Sequence, residues 1–299
     1  MDVLHIKHTM DPERPRKDLV VGAITGYSMP HVAAWLQSLQ NVGYVGDVAM
    51  IVYNGSTEFV EQLRSIGVRV FTFVQADGNY VFPGRPVNIV VDRFLHLWTF
   101  LRAERHAYRY IVTTDVRDVI FQSNPMTWLE AHAGDGKRLN VGCESLLYRD
   151  ECLFGARNMQ DSFGPEIWEA MSHMMIYNAG TIAGDAGVLL DLCLAVNLVS
   201  RGGRTSNPDQ AALNVLLTLE PWASITRKNT SEDGWAAQLG TTQAPQHQPY
   251  FGQKLTDPTP LLGSDGIVRT SKGVPFCLVH QYNRDPTWTT QILHRVFHK

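Results

Sequence analysis

Cysteine is scarce in this sequence: Cys143, Cys152, Cys193 and Cys277 are the only four in a chain of 299 residues. They form no C-x-x-C pair, which excludes a structural zinc knot and a dense disulfide framework and leaves mostly buried, reduced thiols. Long apolar runs are absent too. Nothing approaches the ~20 residues of a membrane-spanning helix. The opening MDVLHIKHTMDPERPRKD has no apolar h-region, so no signal peptide is expected. Without one, Asn54-Gly-Ser and Asn229-Thr-Ser carry little weight as glycosylation acceptors. Nor is basic charge in excess: 26 Lys and Arg stand against 29 Asp and Glu, a net of −3. That speaks against a nucleic-acid partner held through phosphate contacts, while leaving room for an anionic ligand met by local positive charge or a metal. A cytoplasmic location is the expectation.

What is present is an ordinary soluble composition, 44% apolar and 18% charged, long enough for a substantial core. Residues 1–17 read as a leader. LVVGAITG, Leu19–Gly26, is a β-branched run closed by glycine, the pattern of a buried strand. MPHVAAWLQSLQNVG then sets Val32, Trp35, Leu36 and Leu39 at helical spacing between Pro30 and Gly43. VAMIVYNG, TEFVEQLRSIG and VRVFTFV continue as strand, amphipathic helix and strand. This βαβαβ opening predicts an α/β fold with a parallel sheet, right-handed crossovers and helices on both faces. VNIVVDRFLHLWTFLRAER follows as a long helix with Val90, Phe94, Leu97, Trp98 and Leu101 on one stripe. LNVGCE and MMIYNAGTIAG read as strands, and AGVLLDLCLAVNLVSRG and PDQAALNVLLTL as helices. From Pro221 to Gly273 the periodicity is low, which predicts long loops with a short hairpin. FCLVHQYNR is a last strand, and QILHRVFHK is a basic amphipathic end suited to peripheral membrane contact. With no repeat and no linker, 18–299 is expected as a single domain.

The chemistry concentrates in YIVTTDVRDVIFQ, Tyr110 to Gln122, where an apolar strand breaks at Asp115, Arg117 and Asp118 and then resumes. Two acids so close repel each other and are costly to desolvate, so something must offset them. Arg117 could do so as a structural ion pair, with Asp118 capping the turn. A divalent cation could do so instead. Ligands in open α/β sheets bind beyond the carboxyl ends of strands. Thr25, Gly26, Tyr27, Asn54, Asp115, Asp118, Asn178 and His280 are all expected at such ends. Two carboxylates and a histidine suit Mn²⁺ or Mg²⁺, hard cations that keep water or phosphate-oxygen ligands.

An apolar strand ending in this acid cluster, then YNAGTIAG, then NPDQAALN, then VHQY, resembles the glycosyltransferases of GT-A fold. The pattern is similar to the glycogenin and lipopolysaccharide-galactosyltransferase group, with its Asn-x-Gly strand, D-Q-x-x-x-N helix start and late metal-binding histidine. The blocks run in the family's order from about Leu19 to Tyr282. The resemblance implies a Rossmann-like, mostly parallel central sheet flanked by helices, with an irregular, loop-rich C-terminal part. It implies a nucleotide-binding part over about 18–125 and an acceptor and metal part over about 126–299. A nucleotide-diphosphate sugar, UDP- or GDP-linked, would be the donor, and a glycan or polysaccharide hydroxyl the acceptor. Base and ribose would lie near Thr25–Tyr27 and Asn54, with Arg93 toward the diphosphate. Asp115, Asp118 and His280 would hold the metal, Asn178 and Gly180 would line the sugar pocket, and Asp209 and Gln210 would approach the anomeric carbon. Asp185 is a second candidate base for the acceptor hydroxyl.

One departure from the family is the spacing D-x-x-D in place of D-x-D. Both acids meet one ion only if the backbone turns at Val116–Arg117; otherwise Arg117 takes over part of the cation's work on phosphate. Arg93 has the alternative of pairing with Asp92. Trp222, Trp235, Tyr250 and Trp288 fall in segments expected as loops and are candidate platforms for an acceptor sugar. Two other readings stay open. One is a nucleotidyltransferase, against which ITGYSMPHVAAW counts because it carries no Lys or Arg after the first strand. The other is a non-catalytic sugar- or nucleotide-binding domain.

Overall fold

The computed structural model describes residues 16–73, 89–202 and 207–298. The expected leader lies outside the described residues except for its last two. The chain then alternates β1 (Lys17–Thr25), α1 (Met29–Asn41), β2 (Asp47–Tyr53), α2 (Thr57–Ser65), β3 (Arg69–Phe73), α3 (Ile89–Leu101) and β4 (Tyr108–Thr114). These four strands lie in the order β3-β2-β1-β4, all parallel. Successive side chains of a strand point to opposite faces, and here both faces are covered. Leu19 and Val21 of β1 therefore join one core, with Ala49 and Ile51 of β2 and Phe94, Leu97 and Leu101 of α3. Val20 and Ile24 join the other, with Val32, Trp35 and Leu39 of α1 and Phe59 and Leu63 of α2. A large apolar side chain buried this fully contributes ~1.5–3 kcal/mol, so the apolar runs of these strands are a direct record of their two-sided cover.

Beyond β4 the chain switches sheets. β5 (Val119–Phe121) leaves the main sheet, and α4 (Pro125–Ala131) leads into β6 (Leu139–Leu147), α5 (Gly155–Phe163), α6 (Pro165–Met171), β7 (Met175–Tyr177) and β8 (Thr181–Asp185). Next come α7 (Ala186–Ser200), α8 (Asp209–Leu216), α9 (Trp222–Ile225), β9 (Thr226–Asn229), β10 (Ala236–Gln238), α10 (Leu239–Thr242) and α11 (Gln248–Phe251). The chain closes with β11 (Leu261–Leu262), β12 (Val268–Arg269), β13 (Leu278–His280) and α12 (Pro286–Phe297). β8 pairs antiparallel with β4 and with β6; β6 also takes β7 antiparallel and β9 parallel. The outcome is an α/β fold with a mostly parallel central sheet flanked by helices. A second sheet, β10-β13-β5, packs on α12 through Ile120, Val279, Ile292 and Val296.

The stretch expected as loops, Pro221–Gly273, holds the hairpin β11–β12 but also β9, which extends the main sheet, and β10, which lies beside β13. Both strands are too short for their pattern to register. Among the described residues no helix is long and apolar enough to cross a membrane.

Candidate metal centre and adjoining cavity

The D-x-x-D segment is the passage between the two sheets. β4 ends at Thr114 and β5 begins at Val119, so Asp115 to Asp118 must turn. The turn is pinned from below. Val116 is buried, and a Cβ on Gly22 of β1 would lie 2.1 Å from its Cγ2, so only glycine leaves room for it. The backbone is satisfied by distant partners: the Asp115 amide donates to Gly180 O at 2.9 Å, and Asp118 O accepts from the Gln281 amide at 2.7 Å. The turn puts both acids on one side, the condition their spacing set.

His280 ends β13, which pairs with β5 so that His280 lies opposite Val119. Its Nε2 is 3.4 Å from Asp115 Oδ2 and 3.8 Å from Asp118 Oδ1. One ligand atom from each of the three residues lies within 4.8 Å of the others, so the group could hold a metal ion. On the far side of the ring, Nδ1 bonds Gln238 Oε1 at 2.7 Å, and Gln238 Nε2 donates to Thr181 Oγ1 at 2.9 Å. An amide oriented in this way accepts the Nδ1 proton and leaves a lone pair on Nε2, the form a metal needs. Nε2 is buried and has no hydrogen-bond partner among the described residues. Gly180 keeps the space open, since a Cβ there would lie 2.8 Å from Asp115 Oδ2 and 2.9 Å from His280 Cε1. An orphaned buried nitrogen, two oxygens and a cradle closed to any side chain fit a hard divalent cation.

The electrostatics agree. Burial pushes the Asp115 carboxyl up, but Arg93 and His280 outweigh it and hold it well below the usual carboxylate range. Asp118 is raised, first by burial and also by Asp115, with His280 and Arg284 acting against. Burial opposes the charged form of His280, yet Asp115, Asp118 and Glu144 together raise it, favouring a proton on Nε2 that a bound cation would displace. The neighbourhood carries more carboxylate than its resident cations neutralise, which favours an added positive charge.

Arg93 lies within the acid cluster. Its guanidinium pairs with Asp115, and Nη2 donates to Ala179 O at 3.2 Å and to Asp209 Oδ2 at 3.1 Å. Committed to two acids and a carbonyl, it positions them, and its buried Nε has no hydrogen-bond partner among the described residues. Asp92 turns instead to Arg201, at 2.8 Å. Asp209, in the first turn of α8, is raised by burial against the pull of Arg93. Beside it, Gln210 Oε1 accepts from the Ala179 amide at 3.4 Å. Asn178 closes the YNAG turn by accepting from the Gly180 amide at 2.6 Å, and its Nδ2 donates to Glu144 Oε1 at 2.6 Å.

Glu144 opens the next layer. With Glu151, Gln210, Gln281, Arg284 and Phe154 it lines a cavity of about 170 Å³ next to the acid cluster. It is 5% exposed, and burial raises its carboxyl against the pull of Asn178 and His280. Glu151 accepts from the amides of Leu153, Phe154, Gly155 and Ala156 at the start of α5. Glu144, Gln238, Gln281 and Arg284 escape a reading of the sequence. Only Glu144 carries a signal, as an acid within the otherwise apolar and small run LNVGCESLL. The other three depend on contacts between remote segments.

Thr25, Gly26, Tyr27 and Asn54 follow β1 and β2 at the same edge of the sheet, where Thr25 pairs with Tyr53. Gly26 at φ 62 and Asn54 at φ 52 make the left-handed turns that end these strands. Tyr27 stacks on His31, and its hydroxyl is raised by burial and drawn back by the nearby Arg117. Arg117 is exposed, and among the described residues it forms no ion pair with either acid. It stands on the rim with Tyr27.

Two expectations fail on geometry. Asp185 does not join the site: β8 runs antiparallel to β4, so Asp185 pairs with Tyr110 while Thr181 pairs with Thr114. Four residues of strand, ~13 Å, carry it to the opposite edge, where it binds Arg138 Nε at 2.7 Å. Trp235 is no sugar platform. It is fully buried against Trp128, and its Nε1 donates to Thr181 O at 3.2 Å. Trp288 packs on the core of the second sheet and Trp222 on that of the first; of the four aromatics, Tyr250 is the exposed one, at 49%.

No protein-family model matches this chain, and no curated protein matches it.

Proposed function

We propose that the chain is a metal-assisted glycosyltransferase of GT-A-like fold, moving a hexose or pentose from a nucleotide-diphosphate donor to a hydroxyl of a glycan or polysaccharide. The observation that carries this reading is the orphaned His280 Nε2 facing Asp115 and Asp118 beside a cavity walled by a buried carboxyl. The ordered motifs of the acid strand, YNAG, PDQ and VHQY support it, as does the position of the cluster beyond the carboxyl end of β4.

Asp115, Asp118 and His280 hold Mn²⁺ or Mg²⁺, which when bound neutralises the charge developing on the departing diphosphate. Gln238 keeps the His280 proton on Nδ1. Arg93 fixes Asp115 and Asp209 relative to each other. Thr25–Tyr27 and Asn54 form the shelf for base and ribose, and the exposed Arg117, near Tyr27, and Arg284, near Asp118, meet phosphate oxygens. In the cavity Glu144, held by Asn178, and Gln210 offer polar groups to sugar hydroxyls, while Phe154 and Phe251 exclude water from the carbon under attack.

A thermal-shift panel of UDP, GDP, CDP and dTDP with and without Mn²⁺ tests the reading. Stabilisation by a diphosphate that needs Mn²⁺ and vanishes in Asp118→Ala is expected. Stabilisation indifferent to metal would move the phosphate role to the arginines, and no nucleotide effect would leave a non-catalytic binding domain ahead.

A further inference from the structure

β6 is an irregular strand. Between its pairings Cys143↔Tyr177 and Leu147↔Met175 it runs four residues where β7 runs two, so Glu144, Ser145 and Leu146 bulge from the ladder. Ser145 sits at φ 55, the left-handed region that disfavours a residue with a Cβ. Its anchor is Asp257. The Ser145 hydroxyl donates to Asp257 Oδ2 at 2.9 Å, and the same oxygen accepts from the Cys143 thiol and the Ser231 amide, both at 3.1 Å. The Thr256 amide adds a bond to Ser145 O at 2.9 Å. Three donors converging on one oxygen suit a carboxylate, whose charge strengthens each bond.

The residue before Ser145 is the cavity carboxyl. Glu144 O accepts from Thr241 Oγ1 at 2.8 Å, and Glu144 Oε1 accepts from Asn178 Nδ2. Bulges re-aim side chains and are common beside active sites. Here the bulge frees residue 144 from the regular alternation of the strand and places it in the cavity lining with Gln210 and Gln281. We propose that Asp257 is a positioning residue for the transfer reaction: by gripping Ser145 it fixes the β6 bulge and aims the Glu144 carboxyl at the sugar in the cavity. The assignment rests on the glycosyl-transfer reading above.

Two variants separate positioning from stability. Ser145→Gly keeps the left-handed backbone accessible and removes the gripped hydroxyl, and Asp257→Asn keeps the shape and removes the charge. Each is expected to lower kcat about 10- to 100-fold, the range for groups that orient a site residue, with the donor KM nearly unchanged. In a Glu144→Gln background Asp257→Asn should have almost no further effect on kcat. Full additivity of the two substitutions would overturn the proposal, because a purely structural role does not act through Glu144. A second readout needs no turnover: ¹³C-carboxyl NMR titration of Glu144, its signal assigned by its loss in Glu144→Gln. A shifted midpoint in Ser145→Gly and Asp257→Asn is expected, and an unchanged midpoint in both would overturn the proposal. If the wild type transfers no sugar from any donor, the functional reading fails alone, and the titration still decides whether Asp257 sets Glu144.

Discussion

In the first half of the chain, site residues stand at the last position of a strand that its own local pattern announces or one or two positions past it: Thr25–Tyr27 at the end of β1, Asn54 after β2, Asp115 after β4. In the second half they are held by partners far away in sequence. Asn178 reaches Glu144 across 34 residues, Gln238 reaches His280 across 42 and Asp257 reaches Ser145 across 112. The first half is built from βα units whose faces are covered by their own helices. The second half is assembled where two sheets meet, and its chemistry exists only after both have formed.

Substitutions can sharpen or break that division. The largest effect is expected at Trp235, a second-half residue that behaves as scaffold: Trp235→Ala should cost about 3–5 kcal/mol in chemical denaturation. A loss near zero would return it to the surface. Next is Asp118→Ala, for which kcat should fall by about 10²–10³, as for removal of one electrostatic element of a site, with the melting temperature measured without metal not lowered. A fall in activity that merely tracks unfolding would make Asp118 structural. Gln238→Leu probes the long-range half directly. By releasing the His280 tautomer it should weaken Mn²⁺ binding about 10- to 100-fold, read by titration calorimetry, and unchanged affinity would break the link across 42 residues.

A smaller effect concerns pH. The folded Glu144 carboxyl is raised by burial, so the folded state retains a proton that the unfolded chain gives up at about pH 4.3. Stability is therefore complete below that value and declines as pH rises through the raised folded value. Glu144→Gln lacks that decline: denaturation curves should converge with those of wild type at acidic pH and show a more stable variant toward neutral pH. Parallel curves would contradict the burial argument. The smallest effect is expected at the far edge, where Arg138→Ala breaks a half-exposed pair with Asp185. Such pairs are worth about 0–1 kcal/mol, and activity should be untouched.

The same division explains what the sequence discloses. Leu19–Gly26, Val48–Gly55 and the long helix around Phe94 announce themselves because two-sided burial demands continuous apolar runs or a helical stripe. The turn through Val116 depends on the missing Cβ of Gly22, ninety-odd residues away, a contact no local pattern contains. Asp185 misleads for a related reason. Its proximity to Asn178 in sequence says nothing of the strand between them, which carries it to the opposite edge. Glu144 is visible as an acid in a buried strand, but its aim depends on the bulge held from residue 257.

The central claim is that Asp115, Asp118 and His280 hold a divalent cation for a nucleotide diphosphate. Electron paramagnetic resonance of Mn²⁺ tests it most directly, since binding removes the free-ion signal. Wild-type protein should take up one Mn²⁺ per chain, more tightly when a nucleoside diphosphate is present, and His280→Ala should release it. Equal Mn²⁺ uptake by wild type and His280→Ala, or none by wild type with any of the four diphosphates, would contradict the account.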